Sequence, residues 1–192
     1  ACYIVIEDSV KEDTKETFDY LRDKCNAVLV MLTGDTESGS IPVARELEMD
    51  YAYVNLMPED KLELVEDFLN IQDCSERLVC VGDGINDAPI LARADVGIAM
   101  GGIGSDAAVE AADVVIMDDD SSKIVDTIQI ARKTMGIVKQ NIIFAIGVKI
   151  AVLILVALGY ASMWAAVFGD VGVSVLAILN AIRALSYKRI RP

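Results

Sequence analysis

The window Asn141–Ala161 constrains this chain more than any other part: 21 consecutive residues carry a single charge, Lys149. At 1.5 Å per residue, a helix of that length spans about 30 Å, the thickness of a bilayer's hydrocarbon core. A second apolar window, Ala165–Leu185, follows the short link Ser162–Trp164 and contains Asp170 and Arg183. A buried hairpin inside a large soluble protein is the plain alternative, but soluble cores seldom use apolar runs this long. Arg132, Lys133 and Lys139 precede the two windows, Lys188, Arg189 and Arg191 follow them, and the link carries no basic residue. The positive-inside rule then places both outer ends in the cytosol and the link outside, with Trp164 as an interface anchor. The expectation is a pair of transmembrane helices, 141–161 and 165–185, followed by a basic cytosolic tail, 186–192.

The rest of the chain has the opposite character. Residues 1–140 hold 12 Lys/Arg against 29 Asp/Glu, whereas residues 141–192 hold five against one. The first part is long enough to bury a core of its own. Its acidity argues against nucleic acid as a partner, since phosphate backbones require a basic surface. It is compatible with handling cations, although acidic surfaces also serve solubility. Cys2, Cys25, Cys74 and Cys80 form no C-x-x-C pair and have no His to join them, so a zinc site built by this part is not expected. Cys80 lies within an apolar run, where a buried reduced thiol belongs. Residues 1–140 are accordingly expected in the cytosol. The chain opens without Met and reads as a piece of something longer.

Short apolar runs alternate with helical patterns along residues 1–120. Strand-like runs are Tyr3–Glu7, Ala27–Leu32, Tyr51–Asn55, Leu78–Val81, Val96–Met100 and Val114–Met117. Helices are expected from about Lys11 to Lys24, from Ser40 to about Met49, from Pro58 to about Asn70, over Ala88–Ala94 and over Asp106–Ala112. Ser40-Ile41-Pro42 reads as an N-cap with Pro in the first turn. This alternation predicts an α/β fold, a Rossmann-like doubly wound parallel sheet. A basic linking helix, 121–140, capped by Ser121 or Ser122, would join it to the membrane pair.

Three segments then fall at the carboxyl edge of that sheet, where open α/β folds bind ligands. They are Thr33-Gly34-Asp35, Lys61, and Gly82-Asp83-Gly84-Ile85-Asn86-Asp87-Ala88-Pro89. Alone, each has a bland reading: two turns rich in Gly, Asp and Asn, and a solvated charge on a helix. Together they offer a hydroxyl, backbone amides, an ammonium, an amide and two carboxylates. That set suits a phosphoryl group beside magnesium, a hard cation that takes a few carboxylates plus water and phosphate.

In this order the motifs LTGD (32–35), PEDK (58–61) and GDGINDAP (82–89) resemble the second half of the phosphorylation domain of P-type ATPases. That domain is haloacid-dehalogenase-like, and the resemblance extends through the two apolar windows. It implies that Thr33 and Gly34 bind the phosphoryl group and that Lys61 neutralises it. Asp83 would bind Mg2+ directly, Asp87 would position that shell, Asn86 would reach the phosphate, and Asp35 would lie near the nucleotide, ATP. GVK (147–149) and FGDVG (168–172) resemble the last two membrane helices of the pumps that export zinc, cadmium and lead. There Asp170 would ligate the transported ion and Lys149 would serve as its counter-cation. An ionisable group inside a membrane window costs about 2.5–3.5 kcal/mol and marks function. Lys149 lies about 12 Å from the nearer end of its window and about 18 Å from the other, too far to snorkel comfortably. The Tyr-Asn and Met/Ser pairs of copper exporters are absent.

The resemblance also shows what is missing. The Asp-Lys-Thr-Gly-Thr segment carrying the phosphorylated aspartate does not occur, nor does a Cys-Pro-Cys motif. The expected parent is an ATP-driven exporter in the cell membrane, and this piece alone should be inactive. Two alternatives remain open at this point. One is a membrane-tethered phosphatase of the same superfamily, although Glu7-Asp8-Ser9 matches its D-x-D/T nucleophile poorly. The other is a non-catalytic membrane-bound fragment that binds only magnesium or protein partners.

Overall fold

Each strand of the α/β part is a short apolar run with a helix after it. A computed structural model describes residues 10, 12–83, 85–101, 106–118, 120–160 and 163–185. The chain divides into two compact units, 1–125 and 126–192. The order begins α1 (Glu12–Cys25), β1 (Val30–Leu32), α2 (Glu37–Glu46), β2 (Tyr51–Tyr53), α3 (Pro58–Ile71) and β3 (Val79–Gly82). A 3-10 turn, Ile85–Asp87, leads into α4 (Ala88–Arg93), β4 (Val96–Met100), α5 (Asp106–Ala111) and β5 (Val114–Ile116). Helices α6 (Ser122–Ala157) and α7 (Met163–Ile182) complete it.

All strand pairings are parallel, as the βα alternation requires. Among the described residues the pairings are β1-β2 and β3-β4-β5. The expected strand Tyr3–Glu7 lies outside the described residues. Both sheets share a device at their amino-terminal edge. The aspartate preceding β2, β4 and β5 accepts the backbone N–H of the residue beside it on the neighbouring strand. Asp50 takes Leu29 N–H at 2.7 Å, Asp95 takes Leu78 N–H at 2.8 Å, and Asp113 takes Gly97 N–H at 2.9 Å. Backbone bonds return from Asp50 N to Leu29 O and from Asp113 N to Gly97 O, both 2.9 Å. Each carboxylate thereby satisfies a strand-end donor and fixes the height of one strand against the next.

The core of the first unit gathers Val65 of α3, Cys80 of β3, Ile90 and Leu91 of α4, Ala99 of β4 and Ala108 of α5. Ile90 and Leu91 are 5% and 1% exposed, and burying such side chains contributes about 2 kcal/mol each. Helix α4 crosses β4 so closely that a Cβ on Gly97 would stand 2.3 Å from the Leu91 carbonyl oxygen. The α3 and α4 surfaces are joined by Arg93, whose guanidinium forks onto the Glu66 carboxylate.

Helix α2 begins one turn earlier than Ser40-Ile41-Pro42 suggested. Gly39 and Ser40 already donate to the Thr36 carbonyl at 3.1 Å, leaving Ser40 buried and Pro42 inside the helix. At the start of α6 the expected serine cap is replaced: Asp120 accepts the Ser122 N–H at 3.0 Å, while the Ser121 hydroxyl bonds Thr14 on α1 at 3.2 Å.

The basic segment 121–140 and the apolar window after it form one helix. The 36 residues of α6 extend about 54 Å by the helical rise. It is the single helix among the described residues long and apolar enough to cross a membrane, and its most apolar stretch has a mean hydropathy of 2.2. The sequence suggested a spanning helix to Ala161, but α6 stops at Ala157. Gly159 adopts φ +77°, Tyr160 N–H reaches Leu155 O at 3.0 Å, and Gly159 N–H reaches Val156 O at 3.0 Å. This is a Schellman cap, which glycine at that position permits. Helix α7 runs antiparallel to α6. Asn141 is opposite Ala177 and Asn180, and Val152 is opposite Gly169. Among the fully described residues of α7 the apolar stretch is Val171–Ile182.

Candidate active site

Three loops leave the carboxyl ends of β1, β2 and β3. The first is tied directly to the second. Thr33 N–H donates to Tyr53 O, Leu56 N–H to Thr33 O, both 3.0 Å, and Asn55 N–H to Asp35 O at 2.9 Å. Within the turn, the Thr33 hydroxyl accepts Asp35 N–H at 3.1 Å. A Cβ on Gly34 would come 3.1 Å from Leu56 O, so the loops touch where that glycine stands. Asn55 holds φ +56°, a left-handed conformation that Asn tolerates better than most residues. It sets the chain's direction into α3.

Helix α3 starts two residues further on. Its Asp60 carboxylate accepts Met57 N–H at 2.8 Å, closing the first turn and presenting Lys61. Lys61 Nζ reaches Asp87 Oδ1 at 2.9 Å, with the two side chains only 15% and 16% exposed. Asp87 comes from the 3-10 turn after β3, so this pair joins the second loop to the third. Gly82 at the end of β3 makes the approach possible, since a Cβ there would lie 2.7 Å from the Asp87 Cβ. Below the pair, Cys80 is buried and its thiol is pushed up to about 11, first by burial and then by the nearby Asp87 charge. The thiol is free and buried, as the sequence suggested.

Asp83 follows Gly82 directly and is exposed, as are Asp35 and Asn86. The structure therefore brings Lys61 and Asp87 into contact and ties Thr33, Gly34 and Asp35 to the loop that leads to Lys61. Among the described residues, the side chains of Asp83 and Asn86 have no hydrogen-bonded partner. Beside Asp35, an open depression of about 630 Å³ is lined by Thr36, Glu37, Ser38, Ile41, Pro42 and Asn55. Sequence reasoning missed Asn55 and Gly82 as site-shaping residues. An Asn shortly before Met-Pro, and a Gly ending a strand, were the available signals.

Lys149 lies in α6 and Asp170 in α7. Eight residues along α6 from Asn141 leads to Lys149, and ten residues back along α7 from Asn180 leads to Asp170. Those steps are about 12 and 15 Å of helix. The two positions thus fall at nearly one level of the helix pair.

Nearly the whole length of this chain is similar to parts of known proteins. The haloacid dehalogenase-like hydrolase family matches residues 1–95. The cadmium, zinc and cobalt-transporting ATPase of Bacillus subtilis is 50% identical over 185 residues, which is 96% of this chain and 26% of that protein. The zinc-transporting ATPase of a Synechocystis species is also 50% identical, over 181 residues, covering 94% of this chain and 25% of its own length. A crystal structure of a zinc-transporting PIB-type ATPase in its E2.Pi state superposes with a TM-score of 0.82 at 34% identity, covering 93% of this chain and 28% of that one. The chain belongs to the heavy-metal P-type ATPases. It spans about a quarter of the length of the P-type ATPases it matches. The likeness includes α6 and α7 as well as the α/β part, which a likeness to the haloacid dehalogenase-like fold alone would not.

Proposed function

We propose that this chain is part of a P-type ATPase that uses ATP to export a divalent heavy-metal cation of the zinc, cadmium and lead class. In the proposed mechanism, an aspartate supplied from outside the segments seen here takes the phosphoryl group. Thr33 and the amides around Gly34 receive its oxygens, Lys61 neutralises its charge, and Asn86 reaches it from the third loop. Asp35 faces the nucleotide side, where the depression beside it leaves room. The observation that carries this reading is the meeting of Lys61 with Asp87 at strand ends that also present Thr33 and Asp83.

The donor set fits magnesium. Among the described residues no three His, Cys, Asp or Glu side chains gather into a complete cage. Magnesium needs none, since it binds through one or two carboxylates, water and substrate phosphate. Exposed Asp83 would hold it, and Asp87, oriented by Lys61, would support that shell. When bound, the ion would offset charge on the transferring phosphoryl group.

Residues 1–120 would then be the cytosolic phosphorylation domain and 121–140 the linking helical segment. The stretch 141–185 would be a transmembrane hairpin in the cell membrane, and 186–192 a cytosolic tail. The antiparallel course of α6 and α7, with Lys149 level with Asp170, supports this division. Asp170 would ligate the transported ion, and Lys149 would neutralise it once the ion leaves. In the full-length parent, Asp170→Ala should abolish ATP hydrolysis stimulated by zinc. Unchanged stimulation by zinc and cadmium would sink the assignment.

A further inference from the structure

One chain of hydrogen bonds crosses between α6 and α7 among the described residues. Arg183 Nη1 donates to Asn180 Oδ1 at 2.8 Å, Asn180 Nδ2 donates to Asn141 Oδ1 at 2.8 Å, and Asn141 Nδ2 donates to the Ala177 carbonyl at 3.1 Å. Each amide uses both ends, accepting on oxygen and donating on nitrogen. Both asparagines are half-buried, while their neighbours Ile142, Ile178 and Leu179 are exposed.

Apolar helix surfaces have many nearly equivalent packings. If α7 slid by one turn, about 5.4 Å, the contact of Val152 with Gly169 would be replaced by a similar one. The amide chain has a single register, because its donors and acceptors meet at one height only. In an apolar surrounding, an unmet amide has no water to turn to. Arg183 lies just past the end of α7, where its charge also favours the helix C-terminus.

We propose that Asn141, Asn180 and Arg183 are positioning residues that fix the axial register of α6 against α7. Resting on the export reading above, their consequence is that Lys149 and Asp170 are held at one level. A slip of one turn in the direction that brings position 173 level with Val152 would put them about 8 Å apart along the helix axis, more than the length of an ion pair. Neither asparagine touches the transported ion, so the effect reaches the ion through geometry alone.

Cross-linking tests the register without ATP or metal, so its outcome is separate from that of the export reading. In the full chain in lipid vesicles, Val152→Cys with Gly169→Cys should form a disulfide rapidly on mild oxidation. A Cβ at position 169 stands 3.3 Å from the Val152 side chain, and the helices need little movement to bridge. The linked peptides are identified by mass spectrometry, which separates them from products of the native cysteines. Adding Asn141→Leu and Asn180→Leu should lower the early cross-linking rate by about tenfold, roughly threefold for each interhelical hydrogen bond lost. It should also raise the yield of the pair one turn away, Val152→Cys with Val173→Cys.

Should the double variant fail to insert, Asn180→Asp keeps the size and still accepts from Arg183 but cannot donate to Asn141. It should lower the rate by about threefold. In the parent pump, Asn180→Asp should raise the zinc concentration for half-maximal ATP hydrolysis and leave phosphorylation by inorganic phosphate unchanged. Unaltered rate and cross-linking partner in both backgrounds would overturn the proposal. A failed Asp170→Ala test beside a positive cross-linking result would overturn the export reading and leave the register assignment standing.

Discussion

Replacing Lys61 by Met removes the ammonium but keeps most of the side-chain volume. At 2.9 Å, the attraction between Lys61 and Asp87 is about 6 kcal/mol for an effective dielectric near 20. Desolvation of both groups offsets most of it. What the substitution leaves behind decides the magnitude. The Asp87 carboxylate is 16% exposed and would lose its cation beside the buried Cys80 thiol. Exposed pairs contribute about 0.2–1 kcal/mol, whereas removing one partner of a buried pair costs about 3–5 kcal/mol. With about one sixth of each side chain still wet, the expected loss is about 2–3 kcal/mol.

Urea unfolding of the full chain in detergent, followed by far-UV circular dichroism, measures this. A denaturant slope near 1.5 kcal/mol/M translates the loss into a midpoint lowered by about 1.5–2 M. Asp87→Asn relieves the stranded charge, so Lys61→Met with Asp87→Asn should recover about 1–2 kcal/mol relative to the sum of the single changes. Raising salt from 50 to 500 mM should change the result little, because screening acts weakly on a half-buried pair. A loss under about 0.5 kcal/mol, with additive single and double variants, would refute the reasoning. Lys61 would then be a solvated charge.

Gly97→Ala should cost more than about 3 kcal/mol, because the Leu91 carbonyl must retreat by about 1 Å from a Cβ placed 2.3 Å away. Thermal unfolding reads it, and a loss under 1 kcal/mol would show that α4 can shift freely on β4. At the sheet edge, the Leu78 N–H and then the Gln72 amide hold the Asp95 carboxyl below its ordinary value, helped by the Arg77 and Arg93 charges. A depressed carboxylate stabilises the fold above its unfolded value near 4, and that contribution is lost as pH falls through the folded value. Asp95→Asn should therefore be less stable at pH 7, with the difference from the parent chain shrinking towards pH 3. A constant difference across that range in thermal melts would exclude the charge as the cause.

Much of the candidate site was readable because it depends on which residues end strands. The motifs at Thr33, Lys61 and Asp83 fall where short apolar runs stop, and a parallel sheet brings such ends to one edge. Contacts depending on the third dimension were not readable. Nothing local says that Lys61 meets Asp87 rather than solvent, since the two are 26 positions apart and belong to different loops. The α2 start was misplaced because Ser-x-Pro is a good helix opening whose local preference lost to a full turn wound on Thr36. The spanning helix was placed too far because its apolar count includes residues past Gly159, where backbone conformation ends the helix. Nothing local singles out Asn141 and Asn180 within their apolar windows. Only the facing of two helices gives them partners.

The aspartates that precede β2, β4 and β5 give the acidity of this unit a second meaning. Part of its negative charge is a levelling instrument. Asp50, Asp95 and Asp113 set neighbouring strands flush at the end remote from the candidate site. Each strand is only three to five residues long and so transmits that alignment to its other end nearly unchanged. Precision at the candidate site's edge is thus created at the far end of the strands, which leaves the loops of that site free to carry glycines and exposed carboxylates that brace very little themselves.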